Sequence, residues 1–155
     1  MITLDHLDVR LLNLLSRNAR AGIAELAQQT AVARNTVAAR LKRLENAGVL
    51  DGFAPRVNLE PLGVTVRAFL ALKLEQGHLD HVVAGLADIP EVLEVHATTG
   101  SEDLLVQAAT RTHEGLQELI QRVVSIRGVA HSNTTLALTT PLRFRVQPLI
   151  DTLVD

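Results

Sequence analysis

The chain has 155 residues, 47% of them hydrophobic and only 2% aromatic, with no Trp, Tyr or Cys. Its core must therefore be aliphatic, and disulfides and thiolate chemistry are excluded, as expected of a cytoplasmic protein. No unbroken apolar stretch reaches membrane-spanning length, and no basic region followed by an apolar run opens the chain, so neither a membrane nor a secretory route is expected. The net charge of −2 hides a split. Residues 1–58 carry eight Lys/Arg against five Asp/Glu, a balance of +3, whereas residues 59–155 carry seven against twelve, a balance of −5. A basic first part beside an acidic second part confines attraction for a polyanion to one region.

Residues 5–18 read as a helix. Leu7, Leu11, Leu14 and Leu15 recur at helical spacing, and Asp5 and Asp8 sit where the helix dipole favours acids. Residues 23–29 form a second helix with Ile23, Leu26 and Ala27 on one face. Residues 34–46 form a third, in which Val37, Leu41 and Leu44 make one apolar stripe. Its opposite face carries Asn35, Ala39, Lys42 and Arg43, with Thr36 on the flank and Arg34 at the start. A buried stripe behind a basic, amide-bearing front with a small central residue suits a helix that lies in the DNA major groove. Gly48 is placed to stop this helix. Residues 49–58 can form a short hairpin, a wing, around Asp51-Gly52. A turn at residues 59–63 is the expected linker between a DNA-binding domain, residues 1–58, and a second domain, residues 64–155.

The pattern then changes. Residues 64–74 alternate and are rich in β-branched side chains, as in a strand. Residues 79–87 read as a helix ended by Asp88-Ile89-Pro90. Residues 92–98 and 104–109 read as strands separated by Thr99-Gly100-Ser101. Residues 114–124 form a helix, with Gly128 after it, and residues 129–139 a last strand. The order βαββαβ is the ferredoxin-like plan, so the expected class is α+β: a winged helix-turn-helix followed by a ferredoxin-like domain.

Across nearly the whole chain these residues resemble the Lrp/AsnC, or feast/famine, family of bacterial and archaeal transcription regulators. The first helix shares Leu4-Asp5, Asp8, Leu12, Leu15 and Asn18-Ala19-Arg20. The helix-turn-helix shares Glu25-Leu26-Ala27, Thr36-Val37, Arg40-Leu41-Lys42-Arg43-Leu44-Glu45, Gly48-Val49-Leu50 and Gly52. The second domain shares Pro90-Glu91-Val92, Glu94, Thr99-Gly100, Asp103, Gly128-Val129, Ser132, Thr134 and Leu136. The resemblance implies double-stranded DNA as a partner. It also implies self-association as dimers that assemble further into octamers, and a small effector, usually an amino acid, held near the glycine loop after the second strand. The chain departs from the family at Ala33, where a Ser cap is usual, at His96, where Tyr or Phe is common, and in a loop without the usual aromatic.

The candidate DNA contacts are Arg34, Asn35, Thr36, Ala39, Arg40, Lys42 and Arg43. Asn35 can pair bidentately with adenine, and Arg34 or Arg43 can reach guanine or phosphate. Arg40 lies beside the buried stripe, which suits a phosphate contact or an internal ion pair. Arg20 and Arg56 are further phosphate candidates. The candidate effector residues are His96, Thr98, Thr99, Gly100, Ser101 and Asp103, completed by Ser132 and Thr134 from the same or a partner subunit. Glycine lets backbone N–H groups approach a carboxylate, and Asp103 can face an ammonium. The same residue types also build ordinary turns. His78 and His81 could pair on a metal, but no third ligand is spaced to join them, so no metal or other cofactor is expected. No triad order, Walker loop or dinucleotide fingerprint is present, and no enzyme is expected. The rival readings are an architectural or ligand-sensing DNA binder with little sequence preference, and a small enzyme on the ferredoxin-like domain.

Overall fold

The computed structural model describes residues 2–154. It divides by contact into two units, residues 2–56 together with residues 142–154, and Val57–Pro141.

In the first unit α1 (His6–Arg17), α2 (Ile23–Thr30) and α3 (Arg34–Asn46) pack around Leu11, Leu15, Leu26, Ala27 and Val37. Burying each of the larger side chains contributes about 1.5–3 kcal/mol. Asp5 and Asp8 cap α1 reciprocally: the Asp8 N–H donates to Asp5 Oδ1 and the Asp5 N–H to Asp8 Oδ2, both at 3.0 Å. The turn between α2 and α3 passes through Ala31, whose φ of 57° is left-handed. α3 ends in a Schellman motif in which Gly48 takes φ 67°, and the Val49 N–H reaches back to the Leu44 carbonyl at 2.9 Å.

One expectation fails in this unit. No strand forms in residues 49–58, so the wing hairpin is absent among the described residues. The reason is local. The N–H groups of Val49 and Leu50 both bond to the Leu44 carbonyl, and Pro55 has no N–H to offer to a ladder. Residues 142–154 group by contact with the DNA-binding helices. A short helix α6 (Gln147–Ile150) packs on α1, and the Asn13 Nδ2 donates to Asp151 Oδ1 at 2.6 Å.

The second unit is a four-stranded antiparallel sheet in the order β2-β3-β1-β4, with β1 (Val66–Leu74), β2 (Val92–Ala97), β3 (Leu104–Thr110) and β4 (Val129–Leu136). α4 (Leu79–Ala87) and α5 (His113–Val124) supply Val82, Leu86, Leu116, Leu119 and Val123 to one core. Ala68, Leu70 and Leu72 of β1 and Leu104, Val106 and Ala108 of β3 meet them. The alternate residues Arg67, Phe69, Ala71 and Lys73 of β1, with Leu105 and Gln107 of β3, lie on the other face, which no helix of this unit covers. Among the described residues, no helix is long and apolar enough to cross a membrane.

Candidate nucleic-acid interface and ligand loop

α3 carries three stripes at i, i+4, i+7 spacing. Val37, Leu41 and Leu44 form the inner one, with Val37 and Leu44 fully buried. Asn35, Ala39 and Lys42 form the outer one and are exposed, as are Arg34 and Thr36 near the helix start. Ala33 gives no side-chain cap, so the first N–H groups of α3 have no side-chain acceptor and can receive a phosphate oxygen.

In the third stripe, Thr36, Arg40 and Arg43, Arg40 takes the internal ion pair that was one of its two readings, and Arg43 joins it. Arg43 Nη2 bonds to Asp8 Oδ2, and Asp8 is completely buried. Arg40 Nη1 bonds to Asp5 Oδ2 and lies 3.3 Å from Asp8 Oδ1. Both guanidiniums are thus engaged with the capping acids of α1. Sequence reasoning placed Arg43 among the outward contacts and saw Asp5 and Asp8 only as helix-start acids. The i, i+3 spacing of the two aspartates was the available signal of a capping box. The Asp5 carboxyl is held below its ordinary range, chiefly by the Asp8 N–H it accepts and further by Arg40, against an opposing effect of burial.

In the second unit the loop between β2 and β3 brings Thr98 and Asp103 together. The Thr98 N–H donates to the Asp103 carbonyl at 2.9 Å, and its hydroxyl donates to the Glu102 carbonyl at 2.7 Å. The Asp103 N–H donates to the Leu72 carbonyl at 2.8 Å. Its Oδ2 accepts from the Leu74 N–H at 2.8 Å, and its Oδ1 accepts from Lys73 Nζ at 3.3 Å. The Leu74 N–H is the main reason the Asp103 carboxyl is held below its ordinary range; Lys73 adds to it and burial opposes it. Asp103 therefore ties the loop to the end of β1. Glu102, which the sequence did not single out, has a buried Oε2 with no partner among the described residues.

A cavity of about 260 Å³ borders this loop, lined by Leu74, Glu75, Gln76, Gly77, Leu79, Ala97, Thr98 and Asp103. Thr99, Gly100 and Ser101 lie exposed beside it, with Gly100 at φ 150°. His96 is on the helix-free face opposite Leu105, 3.4 Å from Glu94. Ser132 and Thr134 pair with Leu72 and Leu70 on β4, the opposite edge of the sheet from β2. Three strand spacings, about 14 Å, separate the Ser132 and Ala97 positions. One chain does not bring these two residues to the loop. A larger cavity of about 460 Å³ lies at the other end of β2 and β3. Thr112 Oγ1 caps the Gly115 N–H there at 3.0 Å, Thr110 Oγ1 donates to the Thr112 carbonyl at 2.9 Å, and Glu91 Oε1 pairs with Arg122 at 2.6 Å while its Oε2 is buried without a partner among the described residues. The loop and the larger cavity each hold a buried carboxylate oxygen without a partner among the described residues, Glu102 Oε2 and Glu91 Oε2.

The same two parts appear in comparisons with known proteins. The pattern described as winged helix-turn-helix DNA-binding matches residues 4–51, and that of the Lrp/AsnC ligand binding domain matches residues 67–146. The HTH-type transcriptional regulator FL11 of Pyrococcus furiosus is 33% identical over 135 residues, covering 87% of this chain and 89% of FL11. Ptr1 of Methanocaldococcus jannaschii, another HTH-type transcriptional regulator, is 30% identical over 88% of this chain and 93% of its own. The structure of E. coli AsnC superposes with a TM-score of 0.88 at 29% identity, covering 95% of this chain and 100% of AsnC. A transcriptional regulator from Neisseria meningitidis, solved as a complex with L-Met, superposes with a TM-score of 0.86 at 25% identity over 95% of this chain and 99% of its own. With both domain patterns matched in order, the chain belongs to the Lrp/AsnC family of transcription regulators, DNA-binding proteins with a ligand-binding domain and not enzymes.

Proposed function

We propose that this regulator works in the cytoplasm as a homo-oligomer whose binding to specific DNA sites responds to a free amino acid. The observation that carries the reading is the loop at residues 98–103. It combines backbone that can approach a carboxylate, an acceptor without a partner on Glu102, and an adjoining small cavity. A zwitterion needs that pairing of donors and an acid. The L-Met complex of the Neisseria relative supports an amino acid as the class of effector. Asp103 holds the loop in shape, and Glu102 accepts from the ligand ammonium. Ser132 and Thr134 reach the ligand only from another subunit.

The helix-free sheet face, with Phe69, Ala71 and Leu105 at its centre, is the surface on which two copies pair, and dimers close further into octamers. Each dimer sets two α3 helices into successive major grooves. Asn35 reads a base edge, Lys42 and Arg34 contact phosphate or guanine, Thr36 contacts the backbone, and Ala39 permits the approach. Arg40 and Arg43 hold the helix at its angle. Half-sites then lie about one helical turn, or a multiple, apart. The amino acid acts by binding one assembly or domain arrangement more tightly than another.

A thermal-shift screen of the full chain against the common amino acids tests the effector. A ligand at a hundred times its dissociation constant adds about 2.7 kcal/mol of native stability. A selective shift, lost in Glu102→Gln, supports the reading. No shift with any amino acid removes the effector from it, while footprints without dyad symmetry remove the docking geometry.

A further inference from the structure

Residues 142–146, Leu-Arg-Phe-Arg-Val, belong to no strand or helix; Leu142 lies in a bend and Val146 caps α6 with helical backbone, φ −112° and ψ −19°. They lead into α6, which packs on α1, the helix whose Asp8 anchors Arg43 of α3. Phe144 is 89% exposed. Arg143 and Arg145 are exposed too, and neither is ion-paired among the described residues. The other residues with which this segment groups carry the exposed basic face of α3, whereas Val57–Pro141 carries ten acids against five bases.

We propose that residues 142–146 are a second DNA-contacting element, an arm that enters the minor groove next to the major groove read by α3. The inference rests on the DNA-binding reading of α3 and extends it. Two exposed arginines separated by a single residue have the spacing of minor-groove arms, which place arginines against base edges and the flanking phosphates. A narrow A·T-rich minor groove concentrates negative potential and draws arginine in. An exposed apolar side chain between the cations can wedge against a base step, the use that minor-groove proteins make of Phe. A second copy of the chain could cover Leu142 and Phe144, but it would leave two unpaired guanidiniums to be matched, and DNA answers that charge directly.

The experiment begins with selection of binding sites by the full-length chain from a randomised duplex pool. Affinity for the selected duplex, with its flanks made A·T-rich or G·C-rich, is then read by fluorescence anisotropy across salt concentrations. The intact chain should prefer A·T flanks several-fold. In Arg143→Ala/Arg145→Ala that preference should vanish, and the slope of log K against log salt should fall by about 0.9 for each lost phosphate neutralisation. Phe144→Ala should weaken the flank preference and leave the slope unchanged. Lys42→Ala, in contrast, should weaken binding on both flanks and keep the preference. The proposal is overturned if the double variant keeps both preference and slope, or if the intact chain has no flank preference. It is overturned equally if light scattering shows the double variant losing its oligomeric state, which would make the arm a contact between copies. Failure of the pool to yield any enriched sequence would sink the major-groove reading itself, and the arm with it.

Discussion

The guanidinium of Arg43 on α3 bonds to the carboxylate of Asp8 on α1, and that carboxylate has no exposed surface. An acid so placed is tolerable only with a cation and hydrogen bonds around it. Asp8 has Arg43, Arg40 and the Asp5 N–H. The ion pairs therefore tie α3, the helix with the exposed basic face, to the capped start of α1.

Removing one partner of a buried pair costs about 3–5 kcal/mol, because the other charge stays behind. Arg43→Ala should lie near the lower limit, since Arg40 remains 3.3 Å away. Urea unfolding should show a loss of about 3 kcal/mol. Asp8→Ala combined with Arg43→Ala should cost less than the sum of the two. A loss below about 1 kcal/mol for Arg43→Ala would place the pair among solvent-screened surface bridges.

Lys42 offers the cleaner probe of phosphate contact, because it is exposed and pairs with no carboxylate among the described residues. Lys42→Ala should leave the urea midpoint unchanged and lower the slope of log K against log salt by about 0.9. Asn35→Ala should instead reduce discrimination at one base pair by about 1–3 kcal/mol with little change in slope. Equal losses on all sequences for Asn35→Ala would assign it to the backbone.

Asp103 and Glu102 are separable by hydrogen exchange. Asp103→Ala frees the Leu74 N–H, which now donates to the carboxylate at 2.8 Å. The amides of Leu74 and Thr98 should then exchange faster, and the ligand response should fall along with the order of the loop. Glu102→Gln should lose the ligand response with both amides still protected. Unchanged exchange in Asp103→Ala would show that the loop holds its shape without the carboxylate.

Much of the architecture was readable because its boundaries are local. α3 and α4 begin and end at the expected residues: Gly48 follows α3 in its left-handed position, and Asp88-Ile89-Pro90 closes α4. The strand order follows from the element order. The misses share a cause, which is dependence on partners distant in sequence. The pairing of Asn13 with Asp151 spans 138 positions, so no window of sequence could place the four residues of α6 on α1. The burial of Asp8 depends on arginines 32 and 35 positions away. The wing failed for a different reason: Asp51-Gly52 is a strong turn signal, but the arm before it had already given its N–H groups to Leu44.

The acidic groups give a signed dependence on pH. The carboxyls of Asp5 and Asp103 are held below their ordinary range, each chiefly by a backbone N–H. A depressed carboxyl stabilises the fold above the ordinary range, near pH 4, and loses that contribution as pH falls through its lower native value. Both groups are well exposed, so each contribution is small. The difference in urea midpoint between the intact chain and Asp103→Asn should be constant above about pH 5 and vanish toward about pH 2. A difference that grew in acid would reverse the assignment.

Gly128 joins the start of β4 to the end of β1. Its carbonyl accepts from the Glu75 N–H at 2.8 Å, and its φ is 100°. A Cβ there would lie 2.3 Å from His78 Cβ and 2.6 Å from Cγ, so His78, one residue before α4, would have to move. Overpacking of this kind costs about 1–3 kcal/mol, and the left-handed backbone adds roughly 1 kcal/mol more for a residue with a side chain. Gly128→Ala should therefore lower the melting temperature. Because Glu75, Gln76, Gly77 and Leu79 line the small cavity, the same shift should weaken the amino-acid response. Gly128→Ala/His78→Ala removes the obstructing ring but keeps the His78 Cβ, and should recover only part of the stability. Full recovery would make the ring contact the whole of the cost, and no recovery would assign it to the backbone and the Cβ.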